Sequence, residues 1–249
     1  AGGYCAGFKK GNCMNHIRIT PLLALLALLL GGMPARGMQP GPDIIRECPK
    51  CAGTVVQNTM MSGNTFGARM WTDGKMEAPM LPDYPLLVKC PDCGTLFWIE
   101  EAKELDQREY YEVNEKWSNA KEPITPTGTD YLQPIIAGKL SAENDLYLRR
   151  YYWWSINDAY RSDGTATATF QPMQERMLRS LADVFDVKDP DQRIAKAEIF
   201  RELKMYDDCM RLLSSPFEEE IHNEVAAFIK GLAQKKVWTV REIKLKGEE

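Results

Sequence analysis

The spacing of apolar side chains changes near the middle of the chain. Beyond residue 128 they recur three and four positions apart, as at Met177, Leu178, Leu181 and Val184, which is typical of amphipathic helices packed on a core. Residues 129–249 are therefore predicted to form an all-α domain. Its helices are expected over residues 131–138, 141–160, 173–184, 191–203, 207–213 and 218–233.

The chain before residue 120 has shorter apolar runs, separated by turn residues. The turn Thr72-Asp73-Gly74 lies between two such runs, and Asp-Gly in that position predicts a β-hairpin. The other β-rich runs predict strands over residues 54–61, 86–89 and 95–99.

The boundary between the two halves has its own composition. Residues 100–117 are charged and compatible with a helix that trails the strands. Residues 121–128 contain two prolines and a glycine, which mark a domain boundary. The predicted fold class is therefore α+β, with a small β domain over residues 38–120 ahead of the helical domain.

Two cysteine motifs stand out in the β half, Cys48-Pro49-Lys50-Cys51 and Cys90-Pro91-Asp92-Cys93. Each places two thiols on one tight turn, and two such turns supply the four soft ligands of a closed structural zinc site. Redox CxxC pairs and unpaired structural thiols are the alternatives. A thioredoxin-type motif opens a helix, whereas the residues after Cys93 predict a strand. Cys48, Cys51, Cys90 and Cys93 are therefore predicted to bind one structural Zn²⁺.

The two motifs and the short strands predict a zinc ribbon, whose small core depends on the metal. The insert of 38 residues between Cys51 and Cys90 is longer than a minimal ribbon needs. Two interpretations of the insert stay open: hydrophobic filler packed beside the ribbon, or an exposed contact surface. Its large apolar side chains include Met60, Met61, Phe66, Met70, Trp71 and Met76.

Residues 1–37 have the features of a secretory signal peptide. From Met14, a weakly basic stretch leads to the apolar residues 21–30, and the small residues Ala35 and Gly37 follow. The apolar run is too short to span ~30 Å of hydrocarbon as a helix. The sequence therefore predicts an extracytoplasmic protein with no membrane span in the mature chain.

The alternative for this segment is that it is not translated. Synthesis from Met33 or Met38 would give a cytoplasmic protein. Reduced CPxC motifs are more typical of that compartment, because an oxidising one converts thiols to disulfides.

The formal net charge of −4 is unevenly distributed. Residues 1–37 hold four basic residues and no acid, which leaves 27 basic and 35 acidic residues, a net charge of −8, in the rest. Four metal-bound thiolates add about −2 more. Such a surface repels phosphate backbones, which argues against a nucleic-acid partner.

Little in the sequence points to catalysis. His16 and His222 are the only histidines, which leaves little material for a His-based triad or a multi-histidine metal site. No Gly-rich phosphate loop, G-x-S-x-G or HExxH motif is present. Cys209 is predicted to be a small buried residue between two helices. The protein is predicted not to be an enzyme.

Residues 148–161 carry an unusual density of aromatic and charged side chains. Adjacent tryptophans on a helix point about 100° apart, so both reach a core only if the helix is buried on two sides. One interpretation is such a central helix. The other is that one indole lines a peptide groove together with polar side chains on nearby turns. The candidate partner-binding residues are Trp153, Trp154, Asn157, Asp158 and Arg161.

Residues 197–213 (AEIFRELKMYDDCMRLL) resemble the turn between the two helices of a tetratricopeptide repeat. Tyr206 matches the aromatic position of that family, Cys209 occupies the small-residue position, and Lys204 stands where glycine is usual. A weaker copy spans residues 225–240. The match is about one repeat long, whereas a stable solenoid normally needs three or more, so a compact bundle is the alternative.

The order of segments along the chain carries a wider resemblance. CPxC, then SGNTFGARMWTDGK, then APMLPDYPLLVKCPDCGTLFWIEEAKEL and the helices resemble an uncharacterised bacterial family that pairs a zinc ribbon with tetratricopeptide-like helices. The resemblance implies a fold but no known activity.

Three functions are compatible with these features. The favoured one is a non-enzymatic, zinc-stabilised scaffold that binds a protein partner. The second is a zinc-ribbon protein that binds nucleic acid, which the acidic composition disfavours. The third is a thiol-redox or chaperone protein that uses the CPxC pairs, and export would favour it.

Overall fold

The described residues of the computed structural model are 38–110, 115–161 and 169–244. The chain divides into two units, Ala1–Arg36 and Gly37–Glu249, and the described residues all belong to the second. They contain nine β-strands and six α-helices, so the fold class is α+β, as predicted. The predicted signal peptide, from Met14 to Gly37, lies outside the described residues.

Short antiparallel strands make up the first half of the described chain. They are β1 (Gln39–Pro40), β2 (Asp43–Glu47), β3 (Thr54–Gln57), β4 (Met60–Ser62), β5 (Arg69–Met70), β6 (Met76–Glu77), β7 (Leu87–Lys89), β8 (Leu96–Trp98) and β9 (Glu104–Arg108). The pairs are β1–β4, β5–β6 and β7–β8, and β2 lies between β3 and β9. Strands occur in every run where the sequence predicts them, and β5–β6 is the expected hairpin around Thr72-Asp73-Gly74.

Two of these hairpins carry the cysteine motifs. In β2–β3 the register pairs Glu47 with Thr54, so the residues between them form the connecting turn. In β7–β8 the register pairs Lys89 with Leu96 in the same way. Each cysteine motif is therefore the turn of an antiparallel hairpin, which fixes where its thiols point.

The predicted trailing helix over residues 100–117 is wrong. Strand β9 and a single 3-10 turn, Glu115–Trp117, occupy the described part of this segment. Strand β9 pairs with β2 along an edge of the sheet, with Arg46 opposite Glu104. Because an edge strand keeps charged side chains in solvent while its backbone is satisfied by pairing, tertiary context overrides the helix-compatible composition.

Six helices follow. They are α1 (Gly128–Ala137), α2 (Ala142–Arg161), α3 (Pro172–Val184), α4 (Pro190–Glu202), α5 (Tyr206–Leu212) and α6 (Glu220–Gln234). Helix α4 begins where Asp189 caps it, with the carboxylate accepting the Gln192 backbone N–H at 2.9 Å. In the described part of the chain, no helix combines the length and apolarity needed to cross a bilayer.

Helices α4 and α6 end in the same way. Lys204 and Lys236 have left-handed backbone conformations, with φ of 60° and 54°. After each, the next backbone N–H reaches back five residues, from Met205 to Phe200 at 2.8 Å and from Val237 to Leu232 at 3.0 Å. This is the Schellman arrangement, in which a left-handed residue satisfies carbonyls at a helix end.

The segment after α6 returns to the β half. Glu242 bridges antiparallel to Trp71, the Thr72 N–H donates to the Arg241 carbonyl at 2.9 Å, and the Ile243 N–H donates to the Met70 carbonyl at 2.7 Å. Residues 241–243 therefore lie along β5 on the side opposite β6.

The β half and the helices share apolar clusters. Trp71, from the insert, is buried with Trp153 and other helical residues in one cluster. Leu87, from β7, is buried with Tyr131 and Leu148 in another. The two halves therefore do not have separate cores, and the domain boundary at residues 121–128 remains a prediction.

Candidate metal centre

The first cysteine turn is closed by two backbone hydrogen bonds. The Cys48 N–H donates to the Gly53 carbonyl at 2.8 Å, and the Ala52 N–H donates to the Cys48 carbonyl at 3.0 Å. Ala52 takes a left-handed conformation with φ of 56°, which is costly for a residue with a Cβ. The turn thereby brings the Cys51 thiol back toward that of Cys48.

The second cysteine turn repeats this pattern. The Cys90 N–H donates to the Thr95 carbonyl at 2.9 Å, and the Gly94 N–H donates to the Cys90 carbonyl at 2.9 Å. Gly94 occupies the left-handed position, with φ of 69°, where glycine has no steric penalty. The two turns are therefore structurally equivalent, and Ala52 stands where the second turn has glycine.

The two turns meet at their thiols. The four Sγ atoms lie within 4.8 Å of one another. The Cys48 and Cys93 Sγ atoms are 3.8 Å apart, and those of Cys51 and Cys90 are 3.6 Å apart. A tetrahedral ion with metal–sulfur bonds of ~2.3 Å holds neighbouring sulfurs about 3.8 Å apart. The four cysteines are therefore placed to hold one metal ion.

The surroundings of the four thiols are unequal. Cys48 and Cys90 are buried, whereas Cys51 and Cys93 are exposed. Burial raises the pKa of Cys90. The Thr95 hydroxyl lies 3.2 Å from the Cys93 Sγ, and hydrogen bonding from Thr95 lowers the pKa of Cys93 to about 6. Thr95 therefore stabilises a thiolate, the form that ligates metals.

A third segment ties the two cysteine hairpins together. The backbone of Lys121 makes two hydrogen bonds with β3. Its N–H donates to the Thr54 carbonyl at 3.1 Å, and its carbonyl accepts from the Val56 N–H at 2.9 Å. Its ammonium pairs with Asp92 in the second cysteine turn. Three residues further on, Ile124 exchanges backbone hydrogen bonds with Lys89 of β7. This segment therefore links the two turns through contacts that do not involve the thiols.

Four protein thiolates fill a tetrahedral coordination sphere and leave no position for water or substrate. This is the arrangement of structural metal sites, whereas catalytic sites keep one position open. A metal here would connect two hairpins that share a small apolar cluster with Val55, Val88 and Phe97. A metal bound by all four thiolates would therefore stabilise the fold.

The predicted partner-binding residues separate into two sets. Trp153 and Asn157 are each 1% exposed, and the Arg161 side chain is 5% exposed, so these three are internal. Trp154 is half-buried and lines a groove. The Asp158 side chain is exposed and pairs with Lys75 at 2.6 Å. Of the five candidate residues, only Trp154 and Asp158 are accessible to a partner.

The internal members of this set belong to a buried polar cluster that the sequence does not reveal. The Trp153 indole N–H donates to Glu202 at 2.7 Å, and the Asn157 amide donates to both Glu202 and Asp73 at 2.9 Å. The Arg161 guanidinium also binds the Asp73 carboxylate. The hairpin turn, α2 and α4 are thereby joined through one network.

A second buried arginine extends this cluster. Arg201 is fully buried and pairs with Glu198 one turn before it. It also donates to the carbonyls of Val237 and Thr239, beyond α6. The sequence does not single out Glu198, Arg201 and Glu202, because α4 also carries exposed or half-buried charged residues such as Lys196. Long charged side chains are rarely buried unless they are paired, and here each one is.

The cluster has an excess of carboxylates. Asp73, Glu198 and Glu202 face two guanidinium groups, those of Arg161 and Arg201. Burial and the neighbouring carboxylates raise the pKa of Glu202 well above its ordinary value. A proton on Glu202 makes the charges of the cluster equal.

The lone Cys209 is buried, as predicted, and packs among α4, α5 and α6 residues. Burial raises the pKa of its thiol to about 12. It is therefore held as a neutral thiol and not as a nucleophile.

Comparison of the chain with protein families, with curated proteins and with solved structures finds no match.

Proposed function

We propose that the protein is a non-enzymatic protein-interaction module whose β half is a zinc ribbon. The observation that carries this proposal is the placement of four cysteine Sγ atoms at tetrahedral spacing on two equivalent turns. A set of four thiolates is soft and closed, which favours zinc in a structural role.

The helical half is proposed to be tetratricopeptide-like. In support, the left-handed residues Lys204 and Lys236, which end α4 and α6, lie 32 positions apart. This spacing is close to the ~34-residue period of that family. Tyr206, at the aromatic position of the resemblance, donates its hydroxyl proton to the Lys236 carbonyl at 2.9 Å, so the two helix ends are in contact.

The interaction role is supported by exposed apolar side chains in the insert. Phe66 is 82% exposed and Met61 is 67% exposed. Met70 and Met76, which face each other across the β5–β6 hairpin, are exposed as well. Exposed apolar side chains are typical of contact sites, and flexible methionines suit them. Of the two interpretations of the insert, these side chains favour the contact surface. Trp71, by contrast, is buried against the helices.

Mass spectrometry of the native protein tests the metal proposal. The expected result is one zinc ion with all the cysteines of the two motifs reduced. Loss of four hydrogens and no metal would instead favour the thiol-redox function. A Cys93→Ser variant should lose the ion, whereas Cys209→Ala should keep it, because Cys209 lies in a different cluster.

We also propose that the protein is exported, from the sequence of residues 14–37. N-terminal sequencing of protein expressed from Met14 in a bacterial host tests this. A mature end near Met38 in the envelope fraction is expected. An intact Met14 end in the cytosol contradicts export.

A further inference from the structure

A groove of about 800 Å³ lies between the β5–β6 hairpin and helix α2. Strand β6 and its flanking residues line it, together with residues 81–83. The rings of Tyr151 and Trp154 also line it, and their centroids are 5.0 Å apart. The groove thus combines a strand edge with a pair of aromatic rings.

One carboxylate in this groove has no cation to balance it. Asp83 accepts the Tyr151 hydroxyl proton at 2.6 Å and has no cationic partner in the part of the chain that the structure describes. Its carboxylate is exposed and therefore available. Glu77, a second carboxylate in the lining, is paired with Arg69 at 3.6 Å.

The two cations of the lining are paired with acids other than Asp83. Arg69 is also paired with Glu242 at 3.0 Å, and Lys75 is paired with Asp158 at 2.6 Å. Among the described residues, Asp83 is therefore left as an exposed carboxylate without a cation, which is complementary to a cationic ligand.

The edge of β6 offers backbone hydrogen bonds. The Trp71 N–H donates to the Lys75 carbonyl at 2.9 Å, and Met70 is opposite Met76 in the next pair. Since antiparallel pairs alternate, the N–H and C=O of Met76 point away from β5. Neither group has a partner among the described residues, so an extended peptide can pair with them.

We propose that this groove binds an extended segment of a partner protein through an arginine side chain. The peptide backbone pairs with the edge of β6 at Met76. The arginine guanidinium stacks on the rings of Trp154 and Tyr151 and forms an ion pair with Asp83. The proposal rests on the proposed function as an interaction module and specifies the chemistry of its partner.

Two synthetic peptides test it, acetyl-Ala-Val-Arg-Val-Ala-amide and the same peptide with glutamine in place of arginine. Each is titrated to millimolar concentration into ¹⁵N-labelled, metal-loaded protein, and the Trp154 indole and Met76 amide resonances are followed. The arginine peptide should shift both resonances saturably. It should bind about fivefold more tightly than the glutamine peptide, and Asp83→Asn should weaken it by about the same factor.

Asp207→Asn is the matched control, because Asp207 is an exposed acid on α5 outside the groove. It should leave the affinity unchanged. No saturable shift, equal affinity for both peptides, or equal binding by the Asp83→Asn protein overturns the proposal. The zinc content of the same samples tests the metal proposal separately. If the protein holds zinc but does not bind the peptide, only the proposal for the groove is overturned.

Discussion

Asp73 and Arg161 form a buried ion pair between residues that are 88 positions apart in the chain. Their side chains are 0% and 5% exposed. Asp73 lies in the β5–β6 turn and Arg161 is the last residue of α2, so the pair fastens the insert to the helices. The Trp154 indole N–H adds a bond to the Asp73 carbonyl at 3.0 Å. Both the side chain and the backbone of Asp73 thus hold the turn in place.

Removing the Asp73 carboxylate should strongly destabilise the folded protein. Asp73→Ala leaves the Arg161 guanidinium buried without its main partner, which is expected to cost about 3–5 kcal/mol of unfolding free energy. Asp158→Ala removes the exposed partner of the same guanidinium and should cost no more than about 1 kcal/mol. Urea denaturation of both variants gives the comparison, and equal losses would show that burial of Asp73 is unimportant.

The adjacent tryptophans should respond differently to truncation. Trp153 is almost fully buried and donates to Glu202, so Trp153→Ala should cost about 3–5 kcal/mol. Trp154 is half-buried at the groove, and Trp154→Ala should cost clearly less. Thermal melts of the two variants measure the difference. A larger loss for Trp154 would contradict the assignment of Trp153 to the core.

Glu202 should make stability fall as pH rises. Its pKa is raised in the folded protein, so its favourable contribution is complete below the unfolded pKa of about 4.3 and is lost as pH rises toward the folded pKa. The slope is at most ~1.4 kcal/mol per pH unit. Glu202→Gln should flatten this slope between pH 5 and 8 in urea titrations, whatever its effect at one pH.

The exposed Glu218 supplies the control for this measurement, because Glu218→Gln changes the net charge equally. It should leave the slope of the wild-type protein in place. Equal slopes for Glu202→Gln and wild type would mean that Glu202 binds no additional proton on folding.

Lys236 is a site for stabilisation. Its left-handed backbone costs a side-chain-bearing residue about 1 kcal/mol, which Lys236→Gly should recover. Lys204→Gly should gain less, because the Lys204 ammonium lies 5.1 Å from the Trp238 ring centroid and that contact is lost. Lys235→Gly, at an ordinary φ of −81°, should be destabilising. Chemical denaturation of the three variants should give this order.

Metal removal should affect the helices as well as the cysteine hairpins. Leu87 is next to Val88 of the apolar cluster between these hairpins and packs on Tyr131 and Leu148, so loosening the hairpins exposes helical core. Chelation is expected to lower the melting temperature of the helical circular dichroism signal. If the helices melt at an unchanged temperature, the two halves unfold independently.

Local patterns predicted much of this structure. The helices α3 and α4 follow from their spacing and caps, and the Asp-Gly dipeptide predicted the β5–β6 hairpin. The repeated CPxC motif predicted the four cysteines that lie close enough to hold a metal ion. These features depend on neighbours in sequence, which a single chain displays directly.

Long-range partners could not be predicted. Nothing in the sequence around Asp73 distinguishes a solvated turn from one buried against Arg161, because the partner comes from a distant helix. Strand β9 was missed for the same reason, since its charged residues become a strand only through pairing with β2. The groove likewise depends on the placement of Trp154 beside the insert.

The pairing of residues 241–243 with β5 sets the order in which the protein matures on the ribosome. Met70 is synthesised well before its hydrogen-bond donor Ile243, and at about 5–20 residues per second the delay is about 10 to 30 s. Throughout that interval the hairpin has an unpaired edge and exposed methionines, which is the condition in which nascent chains aggregate or recruit chaperones. The cysteine turns are complete by Thr95, so metal loading during synthesis can precede closure of the hairpin.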